Sequence, residues 1–137
     1  LHVEFAVPEG NGNSGVYIQQ RYEVQVLNSH GGEPGSHDCG AIYAFRAPNV
    51  NASRPPGEWQ SFDIVFRQPR WNEDDEKVEN ARITVLHNGE LLHYDVEVPN
   101  KTGAGKQEGP EPRPLRLQDH GQKVKYRNVW LKPLDVE

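Results

Sequence analysis

The chain has one cysteine among 137 residues, so it can form neither an internal disulfide nor a cysteine-based zinc site. That residue, Cys39, sits in DCGAIY at an expected strand entry and reads as a small buried side chain rather than a nucleophile. No apolar run approaches the roughly 20 residues of a membrane-spanning helix. No cluster of lysine and arginine offers a nucleic-acid footprint, and the formal net charge is −5 with a pI near 5.7. Helical periodicity of useful length is missing, and no segment repeats. There is no signal-peptide pattern and no methionine at all. The chain opens inside a strand pattern, with Leu1, Val3, Phe5 and Val7 on one face and His2, Glu4 and Ala6 on the other. That opening suggests a fragment or processed form whose upstream part is absent.

What is present points to short strands and many turns. Hydrophobic residues make up 34% of the chain, mean hydropathy is −0.85, and there are 13 glycines and 11 prolines. Those values suit one thin two-layer all-β domain spanning 1–137. Period-two runs are expected at 1–7, 15–19, 21–29, 40–46, 59–68, 81–87, 90–98, 113–118 and 124–132. Breaker-rich stretches such as SHGGEPGSHD and NKTGAGKQEGPEPRP separate them. Asn88-Gly89, between ARITVL and LLHYDVEV, is a two-residue hairpin signature. Asn72–Asn80 is expected to be a solvated loop. Asn51-Ala-Ser and Asn100-Lys-Thr are glycosylation sequons in loop-like stretches, and Asn51 and Ser53 read as holding a long loop.

The most informative segment is GVYIQQRYEVQVLNS, Gly15–Ser29. Tyr22, Val24 and Val26 share one face; Arg21, Glu23 and Gln25 share the other. A row of cation, carboxylate and amide, with Tyr17 and Gln19 upstream, can bind a polyhydroxylated ligand. A solvated outer face is the alternative. In EWQSFDIVFRQPRW the same parity sets Phe62, Ile64 and Phe66 against Ser61, Asp63 and Arg67.

GNSGVYIQQRYEVQVLNS, DCGAIYAF, NASRPPGEWQSFDIVFRQPRW, ARITVLHNGELL and GPEPRPLRLQDHGQKVKYRNVWLKPL resemble, in order, the 3-keto-disaccharide hydrolase family. The resemblance runs across almost the whole chain. It implies an antiparallel β-sandwich of the concanavalin A-like jelly-roll type, with a sugar cleft on its concave face. It also implies a bacterial, often exported protein (periplasmic or extracellular) that cleaves glycosides oxidised at C3. Family members carry further N-terminal strands, so this chain is expected to be incomplete relative to them. An edge beside 1–7 or the last strand should then be open to pairing, including with another copy of the chain.

The chemistry so implied needs a base for the acidified C2 proton, an acid for the leaving oxygen and an electrophile at O3. The candidates for these roles are Glu23, His120, Arg67 and Arg127. Expected to bind substrate are Tyr17, Gln19, Arg21, Gln25, Tyr43, Trp59, Gln118 and Asp119. A divalent metal held by His120, Glu23 and Glu4 is a further option. Each residue also has a plainer reading. Glu23 can be a cross-strand ion-pair partner, His120 a turn cap, Gln19 and Gln25 ladder amides, and Tyr43 and Trp59 core rim. Trp71 and Trp130 read as packing; His2, His30, His37 and His93 read as surface residues, and His87 belongs to the hairpin turn. A non-catalytic carbohydrate-binding sandwich and a purely structural one therefore stand beside the enzyme. Nucleic acid and a membrane span are not expected.

Overall fold

The computed structural model describes residues 1–135 and places ten strands and no helix among them. They are β1 (His2–Ala6), β2 (Ser14–Ile18), β3 (Tyr22–Val26), β4 (Gln60–Arg67), β5 (Arg70–Trp71), β6 (Lys77–Glu79), β7 (Ala81–His87), β8 (Glu90–Val98), β9 (Arg116–Leu117) and β10 (Lys125–Trp130). Sheet A runs β10-β1-β4-β7-β8, sheet B runs β3-β2-β9, and β5-β6 forms a separate hairpin. Every pairing is antiparallel. The protein is an all-β sandwich, as its period-two patterning requires.

The core is built by the apolar parity of both sheets. Val3 and Phe5 of β1, Phe62 and Ile64 of β4, and Ile83 and Val85 of β7 meet Val16, Tyr22 and Val24 from sheet B, all nearly inaccessible. The Phe5 and Phe62 rings meet at a tilt, 4.8 Å apart, and Tyr22 of sheet B meets Phe66 of sheet A at 5.3 Å. Each such ring removes enough apolar surface from water to stabilise the fold by about 1.5–3 kcal/mol. The Asn88-Gly89 turn forms as expected: both residues have positive φ (52° and 81°), joining His87 to its partner Glu90.

Three expectations are corrected. Residues 40–46 form no strand. Ala44 at φ 58° folds the segment back on itself, leaving isolated bridges from Ile42 to Val24 and to Arg46. Asn72–Asn80 is not simply loop, because Arg70 pairs with Glu79 across a turn in which Asn72 Oδ1 accepts from the amides of Asp74 and Glu76. His93 is not on the surface. It is fully buried, with Nε2 at 2.8 Å from the Gly40 carbonyl and Nδ1 at 2.6 Å from Arg46.

At the sheet edges, β1 is paired on both sides, while β10 has one partner and presents a free edge among the described residues. The outer edge of β3 is closed by two non-strand segments. Tyr43 N donates to Glu23 O at 3.0 Å, and Thr102 N donates to Arg21 O at 2.9 Å. These segments position the walls of the site.

Candidate functional site

Sheet B carries its polar row on the face turned away from the core. Register places Glu23 of β3 beside Tyr17 of β2, and Tyr17 beside Arg116 of β9. One row along, Gln25 is opposite Gly15, whose carbonyl accepts from Gln118 N at 2.9 Å. The result is a cavity of about 110 Å³ lined by Asn13, Tyr17, Glu23, Gln25, Tyr43, Ala104, Gln118 and His120.

Glu23 is its centre. The residue is 3% exposed, and burial raises its carboxyl above the ordinary value. The facing Tyr17 phenol and the charges of His120 and Arg116 oppose that rise. Two glycines make room for the carboxylate. A Cβ on Gly15 would collide with Glu23 Oε2 and lie 2.9 Å from Cδ. A Cβ on Gly103 would lie 2.7 Å from Glu23 Oε1 and 2.9 Å from Tyr43 Cδ1. The acid is thus wedged in one position. Burial and the neighbouring carboxylate also push the Tyr17 phenol well above its usual range, so it remains a proton donor.

The other walls are held as firmly. Gln25 Nε2 donates to His37 O at 3.1 Å, while its buried Oε1 has no partner. Tyr43 is braced edge-on by His37 at 5.1 Å. His120 stands exposed at the rim, on a turn capped by Asp119 Oδ1 accepting from Gly121 N at 3.0 Å. Tyr126, reaching across from sheet A, anchors that turn. Its hydroxyl is 2.7 Å from Ser14 Oγ, which donates to Gln118 O at 2.7 Å. The side chain of Gln122 lies 3.1 Å from His120 Nδ1.

Of the residues expected from sequence, Tyr17, Glu23, Gln25, Tyr43, Gln118 and His120 converge here. The others lie elsewhere. Arg21 is buried and engaged, donating from Nε to Gln107 O at 2.9 Å and from Nη2 to Glu111 Oε1 at 2.8 Å, so it pins the 99–113 strap. Gln19 has left the strand; its φ of 53° belongs to the β2–β3 turn, and its amide meets Gln68. Asp119 spends its carboxylate on the turn. Arg67 and Arg127 are on sheet A: Arg67 donates to Asn80 O at 3.0 Å and pairs with Glu79, and Arg127 binds Glu4 at 2.8 Å. Trp59 is with Arg127, whose guanidinium lies 4.0 Å over its ring. Parity set Arg67 opposite Phe62, Ile64 and Phe66 on its own strand, but that strand belongs to the other sheet.

Residues 1–132 match the 3-keto-alpha-glucoside-1,2-lyase-like domain family. The chain belongs to this family. A solved candidate glycosyl hydrolase from Parabacteroides distasonis is 32% identical, with a TM-score of 0.83 over 97% of this chain and 62% of that one. The present chain thus spans under two thirds of that relative. A second candidate glycosyl hydrolase from the same organism, 20% identical with a TM-score of 0.60 over 93% of this chain and 66% of its own, shares the fold. No curated protein matches the chain.

In this lyase-like domain the expected metal set does not assemble. Glu4 lies on sheet A, bound to His2 at 2.9 Å and Arg127 at 2.8 Å, away from Glu23 and His120. Among the described residues no three His, Cys, Asp or Glu side chains converge as a metal site. Two lining residues, and Arg116 beside the cavity, went unread in the sequence. Arg116 had a signal, since 116, 118 and 120 alternate with Leu115 and Leu117. Asn13 and Ala104 come from turn-rich segments with no periodicity to read.

Proposed function

We propose that this domain cleaves glycosides already oxidised to a ketone at C3 of the sugar ring, starting by removal of the C2 proton. The observation that carries the reading is Glu23: a buried carboxyl, raised toward neutrality, wedged in one position at a cavity shared with a phenol and an imidazole. The family and the relative described as a candidate glycosyl hydrolase support a carbohydrate substrate.

Ionised Glu23 takes the C2 proton, and the C–H electron pair moves through C2–C3 onto O3 as an enolate. The enolate collapses, forming C1=C2 and breaking the C1–O bond. His120, at the open rim, protonates the departing oxygen. Water then adds to the enone, oxygen at C1 and hydrogen at C2, giving the free 3-keto sugar. Tyr17 donates a hydrogen bond, and Gln25 Oε1 and Gln118 hold ring hydroxyls. At about 110 Å³ the cavity is below the roughly 300 Å³ of a full ligand pocket, so one edge of one ring enters it. That size also favours a second reading, a non-catalytic sugar-binding domain.

Full-length protein incubated with a 3-keto-glucoside in D₂O tests the choice. Aglycone release with deuterium appearing at C2 is the expected result. Release without C2 deuterium points to ordinary hydrolysis and refutes the enolate route. Binding with no release supports the binding module.

A further inference from the structure

The arginines expected to stabilise the enolate, Arg67 and Arg127, are on the other sheet, but Arg116 stands beside the cavity, outside its lining, over Tyr17. Of nine arginines in the chain, eight donate to a carboxylate or carbonyl oxygen. Arg116 is the exception among the described residues. It makes no ion pair and no hydrogen bond; its guanidinium lies 5.5 Å from the centre of the Tyr17 ring and otherwise faces solvent. It closes the row Glu23–Tyr17–Arg116. Neighbouring strands are about 4.8 Å apart, so its backbone stands roughly 10 Å from that of Glu23, with Tyr17 between them.

Charge balance gives this placement a purpose. When Glu23 gains the C2 proton its own charge is neutralised, and a new negative charge appears on O3. A guanidinium suits that oxygen: it stays protonated at any working pH and competes with Glu23 for no proton. Its field already reaches both neighbours, favouring the ionised forms of Glu23 and Tyr17. A phenol ring holds it only loosely, leaving the side chain free to turn toward a ligand.

Resting on the function proposed above, we propose that Arg116 is the electrophilic residue of the site, donating to the C3 oxygen of the substrate as it becomes an enolate. No proton leaves the guanidinium; the electron pair from C2–H ends on O3, and Arg116 stabilises it there.

The test compares full-length parent, Arg116→Ala and Arg116→Lys on a 3-keto-glucoside, following aglycone release and C2 deuterium exchange. Removing one donor to a developing oxyanion should lower kcat for Arg116→Ala about 100-fold, with KM changing by less than about threefold. Arg116→Lys should regain part of the loss, and added guanidinium ion should raise the alanine variant by about tenfold, which a merely structural role would not allow. A parent that turns over while Arg116→Ala stays within about threefold of it overturns the assignment and leaves the function standing. A parent showing neither release nor exchange overturns the function, and the role of Arg116 with it.

Discussion

Each sheet turns outward a carboxylate, a histidine, an arginine and an aromatic ring, and the two sets behave as opposites. On sheet A, Glu4 accepts from His2, Arg127 and Asn128 at once, and those bonds, that from His2 first, hold its carboxyl down at about 2. His2 is held between Glu4 and Asp63, and Trp59 is covered by Arg127. Every charge is answered, so nothing is left to react. On sheet B, Glu23 is buried, carries no salt bridge among the described residues and has its carboxyl raised, while Arg116 is unpaired. The same residue types give a brace in one place and a reactive cluster in the other. What separates them is whether partners or burial dominates at the acid.

The largest test of that contrast sets the two acids against each other. Glu23→Gln should lower kcat on a 3-keto-glucoside by about two to four orders of magnitude, while Glu4→Gln stays within about threefold. Equal losses would erase the distinction between brace and site.

The inner face of sheet A sharpens the comparison through pH. Burial lowers both His87 and His93 from 6.5 to about 4. Between those values the unfolded chain binds protons that the folded chain refuses, so their contribution is complete above about pH 6.5 and is lost as pH falls toward 4. The loss should reach about 3 kcal/mol per histidine. Outward-facing His2 has the reverse sign: its bonds to Glu4 and Asp63 raise it, so its contribution is present below 6.5 and lost as pH rises through the raised value. Urea unfolding at several pH values should show the acid loss, and His93→Gln should flatten its slope by about half. An unchanged slope would mean the buried imidazole is not the cause.

Gly15→Ala probes the space on which the Glu23 geometry depends. The added methyl must displace the carboxylate, so kcat should fall about tenfold or more with the melting temperature close to the parent's. An active Gly15→Ala protein would show that Glu23 need not be wedged. The smallest effect is expected for Arg127→Ala. Its bond to Glu4 is surface-exposed and screened by solvent, so urea unfolding should show almost no shift of the midpoint, with activity unchanged.

Particular elements show how far the chain could be read. The alternation of Tyr22, Val24 and Val26 with Arg21, Glu23 and Gln25 was legible because a strand's side-chain period is two whatever surrounds it. Asn88-Gly89 could be read as a hairpin for an equally local reason. The free edge of β10 accords with an opening at the last strand, although β1 turned out to be paired on both sides. Arg67 shows the limit: parity names the face of a strand but not the sheet to which the strand belongs. Arg21 shows another, since nothing in NKTGAGKQEGPEPRP reveals that it lies over β3 and buries that guanidinium.

The sequence by itself therefore determined the all-β class, the apolar core-facing residues of strands such as β4 and β7, and the family. Those depend on near-neighbour periodicity and on blocks of residues retained in order. Only the tertiary structure decided which polar face became a site. That choice rests on contacts between residues up to about a hundred positions apart, such as Ser14 with Gln118 and Glu23 with Gly103. Those contacts set the burial and the pairing, and hence the reactivity, of a carboxylate whose chemistry alone is the same on either sheet.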